Sequence, residues 1–356
     1  MNGWTREQIF TNGDLFFARF EKDLDHARST IELETYIFQL DPLGRRIIQK
    51  LKSAAERGVI VRVLVDGVGT LGYAQDLMSE LRENQVQARI FHPLPWRLNR
   101  RNHRKVCVID RRIAFLGGMN ISACHLKCYS GPQAWRDTAV RVVGSSAQIL
   151  TAAFERSWEH HPLAHPVQHF RLRKSPGHRL IKLNDTRQRR LNYQYEILRR
   201  TFQAQTRIWI TTPYFVPTFS LSRALRKAAS KSIDVKILLP RKSDVWFMKW
   251  MNQAFYSFLL SGGVRIYEYL PTTLHAKVMI MDDWMTVGSS NRNYRSWLHD
   301  LEADLVITHP RSKTALRTQF LRDLEVSQEI EPSHWKTRPW FKTALERMIT
   351  FFRYWL

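Results

Sequence analysis

One spacing occurs twice in this chain, and any fold must accommodate both copies. His-x-Lys-x4-Asp places His103, Lys105 and Asp110 in the first half and His275, Lys277 and Asp282 in the second. Each copy lies inside a longer repeat. Residues 102–110 (NHRKVCVID) return as 274–282 (LHAKVMIMD), 51–64 (LKSAAERGVIVRVL) as 225–238 (LRKAASKSIDVKIL), and the strand-like run 31–38 (IELETYIF) as 207–215 (RIWITTPYF). Matched blocks in one order, at nearly constant offset, mean a duplicated unit. Each unit reads as helix ends followed by apolar or alternating runs, so the expected class is α/β, with helices alternating with the strands of a mostly parallel sheet. The halves are expected at 1–160 and 191–310. Between them, 161–190 reads as a basic linker carrying Pro162, Pro166, Pro176 and Gly177, and 311–356 reads as a C-terminal helical region.

The repeated residue types suit one chemistry. Positions i and i+2 of a strand share a face, so His103 and Lys105 project together, as do His275 and Lys277. Packing of the halves about a pseudo-twofold axis brings both pairs to one site. Two imidazoles with an ordinary pKa of about 6.5 supply a neutral nucleophile and a protonated acid. Two ammoniums, with the amides of Asn120 in Gly117-Gly118-Met119-Asn120 and Asn291 in Gly288-Ser289-Ser290-Asn291, suit the charge that a phosphoryl group gathers in transfer. The set specifies metal-free chemistry at a phosphodiester. The groups flanking phosphorus stay open, so phosphatidyl transfer, phospholipid hydrolysis and nuclease action all fit.

These motifs resemble those of the phospholipase D superfamily. Glu34-Thr35-Tyr36-Ile37-Phe38, Tyr129-Ser130-Gly131-Pro132, Trp135-Arg136-Asp137 and Thr212-Pro213-Tyr214-Phe215-Val216-Pro217 narrow the resemblance to bacterial cardiolipin synthases, in a short subgroup without N-terminal transmembrane helices. The resemblance implies a duplicated α-β-α sandwich with one shared active site. It implies transfer of a phosphatidyl group from one phosphatidylglycerol to the hydroxyl of a second, with release of glycerol, through a phosphohistidine, with no cofactor and no metal. It also implies a histidine-orienting acid at Glu302, with Asp137 as its first-half counterpart, and points to His103 as the attacked imidazole. Asp110 and Asp282 complete the catalytic motif, their carboxylates expected to fix strand-turn geometry away from phosphorus.

Charge indicates the partner. Lys+Arg 55 against Asp+Glu 32 leaves a net charge of +23, a self-repelling surplus that suits an anionic surface, and Arg, whose fork matches phosphate, dominates it. Cys107, Cys124 and Cys128 form no closed disulfide framework, which suggests a reducing compartment. No signal-peptide core or apolar run long enough to span a bilayer occurs. The tail 340–356 (WFKTALERMITFFRYWL) gathers Phe341, Leu345, Met348, Ile349, Phe352, Trp355 and Leu356 on one helical face, the pattern of an interfacial membrane helix, with a terminal helix docked on the protein's own core as the alternative. The expected partner is an anionic, phosphatidylglycerol-containing membrane, at the cytoplasmic face of a bacterial cell membrane, with peripheral attachment. Nucleic acid is the lesser expectation, and no protein partner is implied. The cations of 96–105 could steer a lipid headgroup or a nucleic-acid backbone, and the aromatic run 245–260 reads mostly as core, with an acyl-chain wall as the alternative. His161, His165 and His169, and Cys124 with His125 and Cys128, fall short of a metal site.

Overall fold

The computed structural model describes residues 4–93, 99–159 and 180–339. The first sheet holds β1 (Arg6–Phe10), β2 (Thr30–Thr35), β3 (Ile60–Asp66), β4 (Gln87–Phe91), β5 (Val106–Ile109), β6 (Ile113–Gly117) and β7 (Ala139–Val143), in the order β1-β7-β6-β5-β2-β3-β4. The second holds β8 (Ile181–Leu183), β9 (Arg207–Thr211), β10 (Asp234–Pro240), β11 (Arg265–Tyr269), β12 (Val278–Met281), β13 (Trp284–Gly288), β14 (Ala303–Val306) and β15 (Ser327–Glu329). Its order is β8-β14-β13-β12-β9-β10-β11-β15. Apart from the added edge strand β15, the two sheets have one topology, as the duplication requires.

The strands bearing the repeated motif are apolar throughout because both of their faces are buried. Cys107 and Ile109 face a cluster with Phe16, Phe20 and Leu51 of the helices Gly13–Asp25 and Pro42–Glu56. Val106 and Val108 face the other way, into a cluster shared with Val278, Ile280, Met285 and Leu305 of the second sheet. Met279 and Met281 repeat the outward role with Leu225 of the helix Phe219–Ala229. The period-two alternation of each strand therefore divides one face for its own helices from one face for the other half. The helices Gln148–Trp158 and Pro310–Glu325 complete the second layer, with Phe154 and Trp158 packed on Leu64 and Phe91, and Leu316 and Phe320 in the inter-sheet cluster. Each half is thus an α-β-α sandwich.

The expectation of mostly parallel sheets is corrected. β2, β3 and β4 run parallel, as do β9, β10 and β11, but the pairs β5–β2, β5–β6, β6–β7 and β7–β1 are antiparallel, and so are their counterparts in the second sheet. The cause lies in the turns after the motif strands. Asp110 and Arg111 take positive φ of 51° and 54°, and Asp282 takes 51°, so each chain reverses at once into a hairpin, which only an antiparallel pair permits.

The linker expected at 161–190 is described only from residue 180, and from there it is integral structure. β8 pairs with β14, Asp185 forms ion pairs with Arg156 and Arg189, and the helix Arg187–Gln203 begins. His161, His165, His169 and the tail 340–356 lie outside the described residues. No helix among the described residues is long and apolar enough to cross a membrane.

Candidate active site

Backbone bridges between the halves build the site. The His103 amide donates to the Leu301 carbonyl (3.0 Å) and the Leu301 amide to the Arg101 carbonyl (2.8 Å). The other half repeats this: the His275 amide donates to the Arg136 carbonyl (2.8 Å) and the Arg136 amide to the Thr273 carbonyl (2.9 Å). Each motif thus runs beside the residue that precedes the opposite half's acid. His103 Nδ1 lies 3.0 Å from Glu302 Oε1, and His275 Nδ1 lies 2.7 Å from Asp137 Oδ2. The pairs cross between halves, so neither half holds a complete set.

The two acids differ by a methylene, and their surroundings match the difference. Asp137 lies directly over Gly118, where a Cβ would stand 2.2 Å from its Oδ1. At the equivalent position the second half carries Ser289, whose hydroxyl, with that of Ser296, donates to the longer Glu302. Gly-Gly against Gly-Ser therefore follows from Asp against Glu.

Burial and crowding set the charges. His103 is held well below the ordinary imidazole value, first by burial and then by Lys105, Lys277 and His275. His275 is lowered by burial and by Lys277, with Asp137 opposing. Burial pushes the Asp137 carboxyl up, but His275 and Lys277 outweigh it and hold the group charged. Burial drives Glu302 well up, against Lys105 and the two serine hydroxyls. The ammoniums are destabilised, Lys105 to about 7 by burial and by Lys277, and Lys277 to about 8 by burial. Lys105 Nζ donates to the His103 carbonyl (2.8 Å) and lies 5.1 Å over the Tyr36 ring, which is 5.0 Å from the His103 ring. Lys277 Nζ is 2.9 Å from both ring nitrogens of His275.

His103, Lys105, His275, Lys277, Glu302 and Asp137 come together. Asn120 and Asn291 are buried beside them: Asn120 Oδ1 accepts from the Ile37 amide at 3.2 Å, and Asn291 Oδ1 has no hydrogen-bond partner among the described residues. Asp110 and Asp282 stand apart from the imidazoles, one strand length away. Asp110 accepts from the amides of Arg28, Ser29 and Thr30, and Asp282 from those of Gln205, Thr206 and Arg207. Partial burial raises both carboxyls, but these hydrogen bonds prevail and hold them below the usual range. Their grouping with the catalytic residues is therefore corrected, while the expected strand-turn role of their carboxylates is what the structure shows: each locks its hairpin turn to the start of the central strand, and the four-residue gap in the motif is the length of the strand between.

Several supporting residues escape a reading of the motif alone. Asp66 Oδ2 accepts from the Asn102 amide (2.7 Å) and Glu34 Oε2 from its side-chain amide (2.9 Å), clamping the residue before His103. Arg101 and Arg104, expected among headgroup-steering cations, are buried and face Asp66 and Glu34 at 3.6 Å each. Trp135 lies 5.3 Å from the His275 ring and 5.6 Å from that of His125, whose Nε2 accepts from the Asn120 amide. His125 is so committed, and among the described residues no cluster of His, Cys, Asp and Glu is placed to hold a metal ion. Of the run 245–260, Met248, Met251, Tyr256 and Leu259 are core, while Trp246 is exposed.

The comparisons agree with this geometry. The family model described as "Cardiolipin synthase, PLD-like domain" matches residues 20–158 and 197–324. Cardiolipin synthase B of Salmonella typhi is 35% identical over 363 residues, covering 95% of this chain and 86% of that protein. Cardiolipin synthase B of Escherichia coli (strain K12) is 32% identical, covering 94% and 84%. Among solved structures, phosphatidylserine synthase of Haemophilus influenzae superposes with a TM-score of 0.73 at 15% identity over 97% of this chain and 92% of that one, a likeness of fold. With two copies of one domain matched and both motifs facing a single site, the chain belongs to the cardiolipin synthase-type phospholipase D-like family.

Proposed function

We propose that this chain is a cardiolipin synthase-type phosphatidyltransferase, moving a phosphatidyl group from phosphatidylglycerol to the hydroxyl of a second phosphatidylglycerol with release of glycerol. The observation that carries the reading is the crossed pair of histidine–carboxylate contacts beside two lysines. Glu302, accepting from His103 Nδ1–H, leaves the Nε2 lone pair for phosphorus. His103 attacks, the bond from phosphorus to the glycerol oxygen breaks, and His275 gives that oxygen its proton. Asp137, held charged beside His275, suits it to carry the proton. Neutral His275 then takes the proton of the second phosphatidylglycerol's hydroxyl, whose oxygen displaces His103 from phosphorus. Lys105 and Lys277, with the Asn120 and Asn291 amides, answer the charge that grows on the phosphoryl oxygens, so the route needs no metal.

The partner of this reading is an anionic, phosphatidylglycerol-containing bilayer, with peripheral attachment at the cytoplasmic face. The net charge of +23 and the substrate's own location support it. The test is incubation with labelled phosphatidylglycerol in the presence of EDTA, followed by separation of the products. Cardiolipin and glycerol are expected. Phosphatidic acid in their place identifies a hydrolase, and an absence of both products overturns the assignment to phospholipids.

The lysines predict a pH dependence. Both have pKa values below the usual lysine range, about 7 and about 8, and both serve only when protonated. As pH rises through those values the free enzyme loses its ammoniums, so kcat/KM falls. A bound phosphodiester favours the charged lysines, so the basic limb of kcat lies at higher pH than that of kcat/KM. Coincident limbs would count against these roles.

A further inference from the structure

An open groove of about 600 Å³ lies outside the catalytic site, between the helix Phe219–Ala229 and the short helix Tyr256–Leu260. Its lining includes Arg223, Arg226, Lys227, Phe219 and Phe258, with no acidic residue. Each cation rests on a ring. Arg226 lies 4.2 Å over Phe258, Arg223 lies 5.5 Å over Phe219, and Lys227 lies 5.8 Å over Phe202 of the neighbouring helix Arg187–Gln203. Gly262 lets the Arg226 stem lie flat across the groove, since a Cβ there would stand 2.4 Å from Arg226 Nε. Phe219 and Phe202 are 63% and 56% exposed, large apolar rings turned to solvent beside the cations.

Rings of this size at the surface call for an apolar partner, and three cations without a carboxylate among them call for an anion. One chemistry supplies both. We propose that this groove binds the phosphodiester headgroup of an anionic phospholipid within the bilayer, with Phe219 and Phe202 entering the interface beside it. The cations are pre-positioned by their rings, which lowers the entropy lost on binding. The Ser230 and Ser261 hydroxyls, also in the lining, donate to the Lys227 and Phe258 carbonyls at 3.0 Å each, so the ligand contacts fall to the cations. The site rests on the reading that the protein works at an anionic bilayer, and it names a surface that holds the enzyme there while the catalytic site turns over.

The test compares the full chain with an Arg223→Glu/Lys227→Glu variant for sedimentation with phosphatidylcholine vesicles, with and without phosphatidylglycerol. Both positions are exposed on the helix. Binding to the phosphatidylglycerol vesicles is expected to weaken by about tenfold or more, with turnover of detergent-dispersed phosphatidylglycerol unchanged. Arg223→Gln/Lys227→Gln is expected to give a smaller loss and covers the case in which charge reversal harms folding. Unchanged vesicle binding in both variants overturns the proposal. So does a site for inorganic phosphate, read from the Phe219 and Phe258 ring signals, that the variants lose while keeping vesicle binding. The two readings fail separately. Wild-type protein that makes no cardiolipin but binds vesicles through these residues ends the functional reading and leaves the groove. Cardiolipin formation in detergent by variants that bind vesicles normally does the reverse.

Discussion

His103→Ala and His275→Ala are each expected to lower cardiolipin formation by about four orders of magnitude or more, and the double variant is expected to be little worse than either single one. Nucleophile and proton carrier act as a unit, so losing one removes most of what both supply. The roles separate with a phosphodiester whose leaving group is a nitrophenol. That oxygen departs without a proton, so His275→Ala still forms the covalent adduct on His103, and the labelled peptide carries it. His103→Ala forms none. The reverse pattern reassigns the nucleophile to His275, and full turnover in either single variant overturns the shared site.

Much of this site is legible in the sequence because a duplication presents it twice. The spacing of His103, Lys105, His275 and Lys277 points to the reacting groups, and the family resemblance of the blocks around Asp137 and Glu302 points to the acids. The crossing is not legible. His103 and Glu302 meet because the His103 amide binds the Leu301 carbonyl, a long-range backbone bridge that no local periodicity reports. The motif aspartates are legible as strand-turn residues, but their partners are not: Asp110 is required by three backbone amides some eighty residues earlier in the chain. Sheet direction follows the same pattern. Helical crossovers make β2-β3-β4 parallel, but the left-handed Asp110-Arg111 turn makes the motif strand a hairpin arm.

The buried cations show where composition stops informing. A surplus of Arg suggests an anionic partner, yet Arg101 and Arg104 face internal carboxylates and rank among the largest fully buried side chains. Their acids, Asp66 and Glu34, also hold Asn102, so these cations compensate the carboxylates that fix the approach to His103. On the proposed reading, attraction to an anionic surface falls to exposed cations such as Arg223 and Lys227.

The crossed pairing carries the second large prediction. Glu302→Gln is expected to lower turnover by roughly a thousandfold or more, because an amide can donate to His103 Nδ1 and so place the proton on Nε2, the atom that must attack. Asp137→Asn is expected to cost a similar factor through the other imidazole: His275 loses the charge that favours its protonated form, so its pKa falls further and the basic limb set by this proton donor moves to lower pH. Activity alone does not say which acid serves which histidine, but ring nitrogen spectra do. With labelled histidine, Glu302→Gln shifts the His103 nitrogens and leaves those of His275 in place, and Asp137→Asn does the opposite. If each substitution instead moved the histidine of its own half, the crossed contacts at 3.0 and 2.7 Å would not be the ones that work in solution. If they hold, neither half can orient its own histidine, and the duplicated domain is catalytic only as a pair.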